Sequence, residues 1–399
     1  MIIQLRFNNF YSFAEDTTVD FAVGKKPAPS GFDVAIGGQR LNKAVAVVGA
    51  NGSGKTQLIK PLAFLSWFIC DSFLQADPDA DILYEPHRLL VDEATHLEID
   101  FWLPDTQGKP CEHRYQLVMQ QRRVVSEALF VKTSTQYSYI FKREKSAYGF
   151  MFRQKGFPFP ANKASELRDN ASLIAAAFSY DVKEARPFVE YFRRIVTNVT
   201  NKGRRRFQKA SVLLAAERYE KSAVIKARMV EAVCEFDLGL TDIKIEKLEI
   251  TAEDGKTSNV FMPVGVHVTA AGQQFELPFY EESSGTQTAF VLLERLLTVL
   301  NLGGIAVIDE LDNDLHPHLI PKILDWFRFE HSNPHQAQLI FTCHTPEILN
   351  RLQKHQVYLC EKNDQSSRAW RLDDVVGLRS DDNLYAKYMA GALGAVPEV

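Results

Sequence analysis

Apolar and polar residues alternate along Ile2-Ile3-Gln4-Leu5-Arg6-Phe7 and again along Thr17-Thr18-Val19-Asp20-Phe21-Ala22-Val23. That period of two predicts two strands, joined through Asn8 to Phe13. The Pro- and Gly-containing stretch from Gly24 to Gln39 predicts a loop. Val45-Ala46-Val47-Val48 is short, wholly apolar and β-branched, which predicts a buried strand, and a helix-compatible segment follows from Gln57 to Cys70. After the acidic, turn-rich segment Gln75 to Pro86, alternation returns in His96–Leu103, His113–Met119, Ala128–Lys132 and Tyr137–Arg143. Separators such as Pro104 to Pro110 suit hairpin loops, so this part reads as an antiparallel meander of about four strands.

From Ala161 to about Leu240 the texture changes. Ala- and Leu-rich stretches at helical spacing, Ser172–Phe178, Ala185–Val199 and Ala210–Phe236, predict a helical insertion of about 80 residues. Strand patterns resume at Lys244–Ala252 and Gly265–Thr269. A strongly apolar helix is expected over Thr288 to Leu300, and buried strands over Gly304–Ile308 and Leu339–Cys343. The pattern predicts an α/β chain with a mixed core sheet flanked by helices and an antiparallel β part. Its expected divisions are 1–160, 161–240 and 241–399.

Composition narrows this picture. With 399 residues and 46% hydrophobic, the chain can bury one large core or two ordinary ones. Charged residues are 24% and nearly balanced, for a net charge of −4, which argues against a wholesale nucleic-acid surface and leaves a local basic patch open. Cys70, Cys111, Cys234, Cys343 and Cys360 are scattered without a paired spacing, so a reducing cytoplasm is expected rather than a disulfide framework or zinc site. The N-terminus lacks a signal-peptide layout, and no run approaching ~18 apolar residues is apparent. No membrane partner is therefore expected.

The chemistry concentrates in four motifs. Gly49-Ala50-Asn51-Gly52-Ser53-Gly54-Lys55-Thr56 fits the phosphate-loop pattern at every fixed position, between the expected strand and helix. Backbone N–H groups of Asn51, Gly52, Ser53 and Gly54 would converge on phosphate oxygens. Lys55 would lie near the β- and γ-phosphates, and the Thr56 hydroxyl would ligate Mg²⁺, so ATP with Mg²⁺ is the expected ligand. Gly304-Ile305-Ala306-Val307-Ile308 ends in Asp309-Glu310: the first acid is placed to reach that metal and the second to act as general base on water. Ser283 and Gly285 open an apolar helix about 20 residues ahead of those acids, either as a plain N-cap or as an anion-binding helix start. His344 closes a core strand, where a satisfied structural histidine and a contact to the γ-phosphate or the water are both open. Lys202 to Lys209 is the densest basic cluster, read as a solvated loop, a nucleic-acid phosphate contact or a site for an acidic partner.

Taken in order, these motifs resemble the ABC-type ATPase heads of the SMC and overcoming-lysogenization-defect (OLD) groups. The opening IIQLRFNNFYSF is similar to their first strand and turn, and Asp309 to Pro317 to their D-E-x-x-x-x-L-H-P form. The tail from Asn383 to Pro397 resembles the closing Y-x-x-G-x-x-G-x-x-P of AAA-type proteins of bacterial anti-phage loci, including PARIS and Septu subunits. The resemblance implies an ABC-type P-loop NTPase head that hydrolyses ATP. In it Ser283 and Gly285 act in trans, so that a head-to-head homodimer, or a larger oligomer of dimers, sandwiches two nucleotides. It also implies that His316-Pro317-His318, beside Asp312 and Asp314, forms a dimer-contact loop rather than a metal site.

Three departures stand out. The signature reads Glu282-Ser283-Ser284-Gly285-Thr286 rather than L-S-G-G-Q. No Q-loop is fixed by its surroundings; Gln116, Gln120 and Gln121 are candidates. No heptad tract separates the halves, so the long SMC arm is not expected.

Only 55 residues follow His344, too few for a Toprim nuclease. The expectation is an ATPase that serves as sensor or scaffold in an anti-phage, abortive-infection system and controls a separately encoded effector nuclease or toxin. The alternatives are a DNA-engaging SMC-like clamp using Lys202–Lys209, and a phosphate-loop kinase or GTPase in which Ser283 plays no part.

Overall fold

The computed structural model describes residues 1–105, 107–205, 207–235, 239–251, 257–313, 315 and 319–396. Its centre is a six-stranded sheet in the order Ile195–Thr197, Ile305–Ile308, Gln338–Cys343, Ala44–Val48, Val357–Asn363, Ser366–Arg371. The first five strands run parallel and the last is antiparallel to its neighbour. Ala44–Val48, Ile305–Ile308 and Gln338–Cys343 are buried at every position, which is why each reads as an unbroken apolar run rather than an alternation.

Alternate residues of these strands feed two cores. Val45, Val47, Val307 and Ile340 face a cluster built with the helix Lys55–Gln75 and the antiparallel sheet. Ala46, Val48, Ile308 and Phe341 face a second cluster, with the helices Ser284–Leu302 and Leu319–Arg328. The expected α/β architecture, a mixed core sheet between helices with an antiparallel β part, is what the chain adopts.

The antiparallel part is a seven-stranded sheet. Its meander has five strands, Thr95–Pro104 to Gly149–Gln154, and the N-terminal strands Ile2–Asn8 and Thr17–Asp20 complete one edge. Gly149–Gln154 escaped the pattern because it is short and half of its positions are exposed. Within the expected loop Gly24–Gln39, the strand Asp33–Ile36 pairs with Gln39–Asn42 across Gly37 and Gly38. Both glycines have positive φ, 58° and 84°, as a two-residue hairpin turn demands.

The segment expected as a helical insertion differs most. The helix expected over Ala185–Val199 stops at Arg193, and Ile195–Thr197 becomes the outermost parallel strand of the core sheet beside Ile305–Ile308. Three β-branched residues are too few to display a period, and the helical texture around them masked the change. Val199–Thr200 and Gly203–Arg204 then form a small hairpin. Ala210–Phe236 is two helices, Lys209–Glu220 and Ala223–Glu235, broken where Ser222 starts the second; Phe236 lies outside the described residues. Asp242–Thr251, Thr257–Val268 and Gln274–Pro278 form a separate three-stranded sheet.

The helix Lys55–Gln75 is, by length and composition alone, apolar enough to cross a bilayer, which the reading of the sequence did not anticipate. Most of its residues pack inside the fold.

Candidate active site

Every chemical motif named above except the Ser283 helix start and the basic run follows the carboxyl end of a parallel strand. The phosphate loop leaves Val48, Asp309 and Glu310 leave Ile308, and His344 leaves Cys343. In a parallel sheet those ends share one edge, where open α/β folds place their ligand crevice. The loop hands over to a helix whose cap, Gly54, has a φ of 108° and offers no side-chain acceptor, and whose first turn carries no acid. A Cβ on Gly54 would come within 2.3 Å of Ser367 Oγ, so only glycine fits there.

Lys55 is buried, and among the described residues its ammonium bonds to two carbonyl oxygens, Gly49 O at 2.8 Å and Ala50 O at 3.0 Å. Burial pulls its pKa below the ordinary lysine value, against the opposing pull of Asp309, Glu310 and Asp312. Ser53 Oγ is buried in the same loop without a hydrogen-bond partner among the described residues. An uncapped helix start, a buried cation without a bonded anion and an orphaned hydroxyl fit a phosphate group.

Thr56 Oγ1 lies 3.0 Å from Asp309 Oδ1 and 2.9 Å from Oδ2. Thr342, on the strand between theirs, donates its hydroxyl to Asp309 Oδ1 at 2.7 Å and accepts the Glu310 N–H at 2.7 Å. Asn198, following Thr197, holds the Asp309 backbone from both sides: Nδ2 donates to its carbonyl at 2.9 Å and Oδ1 accepts its N–H at 2.7 Å. Burial raises the Asp309 pKa, the hydroxyls of Thr342 and Thr56 oppose this, and the charge on Glu310 adds to it. A buried carboxylate held by hydroxyls, with a hydroxyl beside it, is an oxygen donor set suited to Mg²⁺.

Glu310 adopts a left-handed backbone, φ 51°, uncommon for a residue with a side chain. Its Oε2 accepts from Arg204 Nη1 at 2.9 Å and Asn313 Nδ2 at 3.1 Å, and its Oε1 lies 3.4 Å from His344 Nε2. Asp312 secures the histidine loop, accepting the backbone N–H of His344 and Thr345 and the Thr345 hydroxyl through Oδ2. Burial alone would raise the Asp312 pKa; the Thr345 hydroxyl and His344 N–H more than offset that and hold it below the usual range.

Ser283 stands apart from this group. It caps the helix Ser284–Leu302, accepting Thr286 N–H at 3.1 Å, with Gly285 in that helix's first turn. Among the described residues, the Ser283 hydroxyl bonds to Thr286 and not to the phosphate loop or Asp309. Gln116 and Gln120, considered as Q-loop residues, lie on the antiparallel sheet, bonded to Glu98 and to Asp92 O, and Gln121 follows in the next turn. Asn198, rather than any of these glutamines, bonds to the acids, at the Asp309 backbone. Asp314, His316, Pro317 and His318 lie outside the described residues, as does Arg206.

Sequence reasoning missed Asn198 and Thr342, and placed Arg204 in the basic run without its link to Glu310. Each becomes visible only through strand order: Thr342 is an isolated hydroxyl inside an apolar run, and Asn198 follows a strand mistaken for helix.

Fold and site together define a phosphate-loop α/β domain in which loop, acids and histidine share one sheet edge. Residues 44–350 match the family model described as "AAA domain, putative AbiEii toxin, Type IV TA system", and the chain belongs to that family. No curated protein matches the sequence. Among solved structures it is similar to an SmcHead bound to the C-winged helix domain of ScpA, at 12% identity over 94% of this chain and 99% of that one, TM-score 0.49. An SMC head domain from Thermotoga maritima aligns at 11% identity over 93% and 98%, TM-score 0.40. An Smc head domain with a coiled coil and joint from Pyrococcus yayanosii aligns at 10% identity over 98% and 99%, TM-score 0.47.

Proposed function

We propose that this chain hydrolyses ATP between two facing copies of itself and uses that cycle to control a separately encoded effector, a nuclease or toxin, in an abortive-infection or toxin–antitoxin type of defence. The observation that carries the hydrolytic part is the contact of Thr56 with Asp309 beside a buried Lys55 whose ammonium, among the described residues, bonds to carbonyls. Lys55 and the loop N–H groups bind the β- and γ-phosphates. Thr56 and Asp309 would hold Mg²⁺, which neutralises phosphate charge when bound. Glu310 accepts the proton of the attacking water, and His344, next to its Oε1, steadies the γ-phosphate or that water.

Among the described residues, the Ser283 hydroxyl bonds within its own helix start and not to the chain's own phosphate loop, which supports completion of the site in trans. The family description, which names an AbiEii toxin and a type IV toxin–antitoxin system, supports the defence reading. The test is ATP turnover against protein concentration, followed by co-purification with the products of neighbouring genes. Turnover per chain independent of dilution, by a protein that remains monomeric with ATP, would remove the dimer; a chain with no bound partner product would remove the effector.

A second reading, a DNA-engaging clamp, rests on Lys202–Lys209. Arg204 of that run is engaged with Glu310, which leaves fewer cations for a phosphate rail. Absence of DNA binding at low salt would dispose of it.

A further inference from the structure

The hairpin Val199–Thr200/Gly203–Arg204 ties three parts of the site together. Before its first strand, Asn198 fixes the Asp309 backbone. At its turn, Asn201 O accepts Lys60 Nζ of the phosphate-loop helix at 3.2 Å and the Tyr11 hydroxyl of the N-terminal turn at 2.9 Å. At its far end Arg204 meets Glu310. Glu310 is thereby fixed at both ends: Thr342 takes its N–H, while Arg204 and Asn313 occupy Oε2. Its other oxygen, Oε1, lies 3.4 Å from His344 Nε2.

We infer that Arg204 is a positioning residue for hydrolysis, acting through Glu310 by holding Oε2 so that Oε1 receives the water proton. The inference rests on the proposed role of Glu310 as base. In the step concerned, a bond forms between the water oxygen and the γ-phosphorus, and the bond from that phosphorus to the β,γ-bridging oxygen breaks. The electron pair leaves with ADP, and the water proton passes to Glu310 Oε1. A carboxylate with one oxygen pinned by a guanidinium loses rotational freedom before the reaction, so less has to be ordered at the barrier.

The experiment uses the full chain, with ATP affinity measured by calorimetry and turnover by phosphate release. Arg204→Ala is expected to keep ATP affinity within about twofold and to lower kcat about 10- to 100-fold, the range that follows removal of an outer partner orienting a metal ligand. Arg204→Lys should recover part of it. The double variant Glu310→Gln/Arg204→Ala should turn over no more slowly than Glu310→Gln, because both act on one group. Should Arg204→Ala fold poorly by its melting temperature, Arg204→Met, which keeps an unbranched stem and has no donor, serves with the same expectation of lowered kcat. Wild-type kcat in the folded variant, a loss confined to KM, or an additional loss in the double variant would each overturn the inference. A fully active Glu310→Gln would instead bring down the underlying assignment of the base; inactive Glu310→Gln beside fully active Arg204→Ala would bring down this inference alone.

Discussion

Thr56 and Asp309 stand 253 positions apart in the chain, yet the Thr56 hydroxyl lies within 3.0 Å of both Asp309 carboxylate oxygens. Their strands are not neighbours: Gln338–Cys343 separates them, and its Thr342 bonds to the same carboxylate. The contact therefore depends on the register of three parallel strands, Val47 beside Thr342 and Ile308 beside Phe341. One-residue slippage would turn Thr342 to the other face of the sheet.

Lys55 gives the first prediction. Its ammonium is buried against two carbonyls, an arrangement that costs stability until an anion arrives. Lys55→Ala is expected to fold as well as the wild type and to lose ATP binding. In a thermal-shift titration the wild type should gain about 2.7 kcal/mol of stability at a hundredfold excess over its Kd, and the variant nothing. Retention of the full shift would show that Lys55 does not meet the phosphates.

Glu310→Gln separates binding from chemistry. The amide keeps the shape of the side chain but cannot take a proton from water. We expect unchanged ATP affinity, kcat lower by about 10²- to 10⁴-fold, and a dimer that persists in light scattering with ATP present. Turnover equal to the wild type would reassign the base.

How much of this was legible beforehand follows from where each signal lies. The phosphate loop, the acids after Ile308 and the strand before His344 are local patterns, and each element formed where its residues called for it. Fold class followed from the switch between period two in 96–143 and unbroken apolar runs around the motifs. Ile195–Thr197 was illegible because three residues between helices carry no period, and with it went Asn198 and the hairpin that brings Arg204 to Glu310. Pairing between residues far apart, such as Asp309 with Thr342, is a property of strand order, which no single segment encodes. The basic run read most simply as solvated; in the fold Arg204 is an ion-pair partner of the site instead.

Ser283 tests assembly. If each site joins the phosphate loop of one copy to the Ser283 helix start of the other, Ser283→Arg and Lys55→Ala should each be inactive as homodimers. A mixed dimer would hold one intact site, formed by Lys55 of the first variant and Ser283 of the second. Equal mixing with free exchange should restore about a quarter of wild-type turnover, since half the dimers are mixed and each has one of two sites intact. No recovery on mixing, with exchange verified by labelled subunits, would exclude sites shared between copies.

Lys60 supplies a prediction about pH. It sits buried on the phosphate-loop helix, its Nζ 3.6 Å from the centre of the Tyr11 ring and 3.2 Å from Asn201 O. Burial lowers its pKa from 10.5 to about 8, partly opposed by Asp309 and Glu85. Below about pH 8 the folded and unfolded chains both carry the charge, and the cost of burying it stands in full. Between about 8 and 10.5 the unfolded chain holds the extra proton, so this residue's contribution to stability rises with pH and the cost fades. Lys60→Met removes the titrating group while keeping an unbranched side chain. The stability difference between variant and wild type should therefore move in favour of the wild type from pH 7.5 to pH 9.5, by on the order of 1 kcal/mol, in parallel urea titrations. Taking the difference cancels other groups that titrate in this range, including the tyrosines. A difference that stays flat across the window would mean that the Lys60 ammonium remains solvated or fully compensated where it lies.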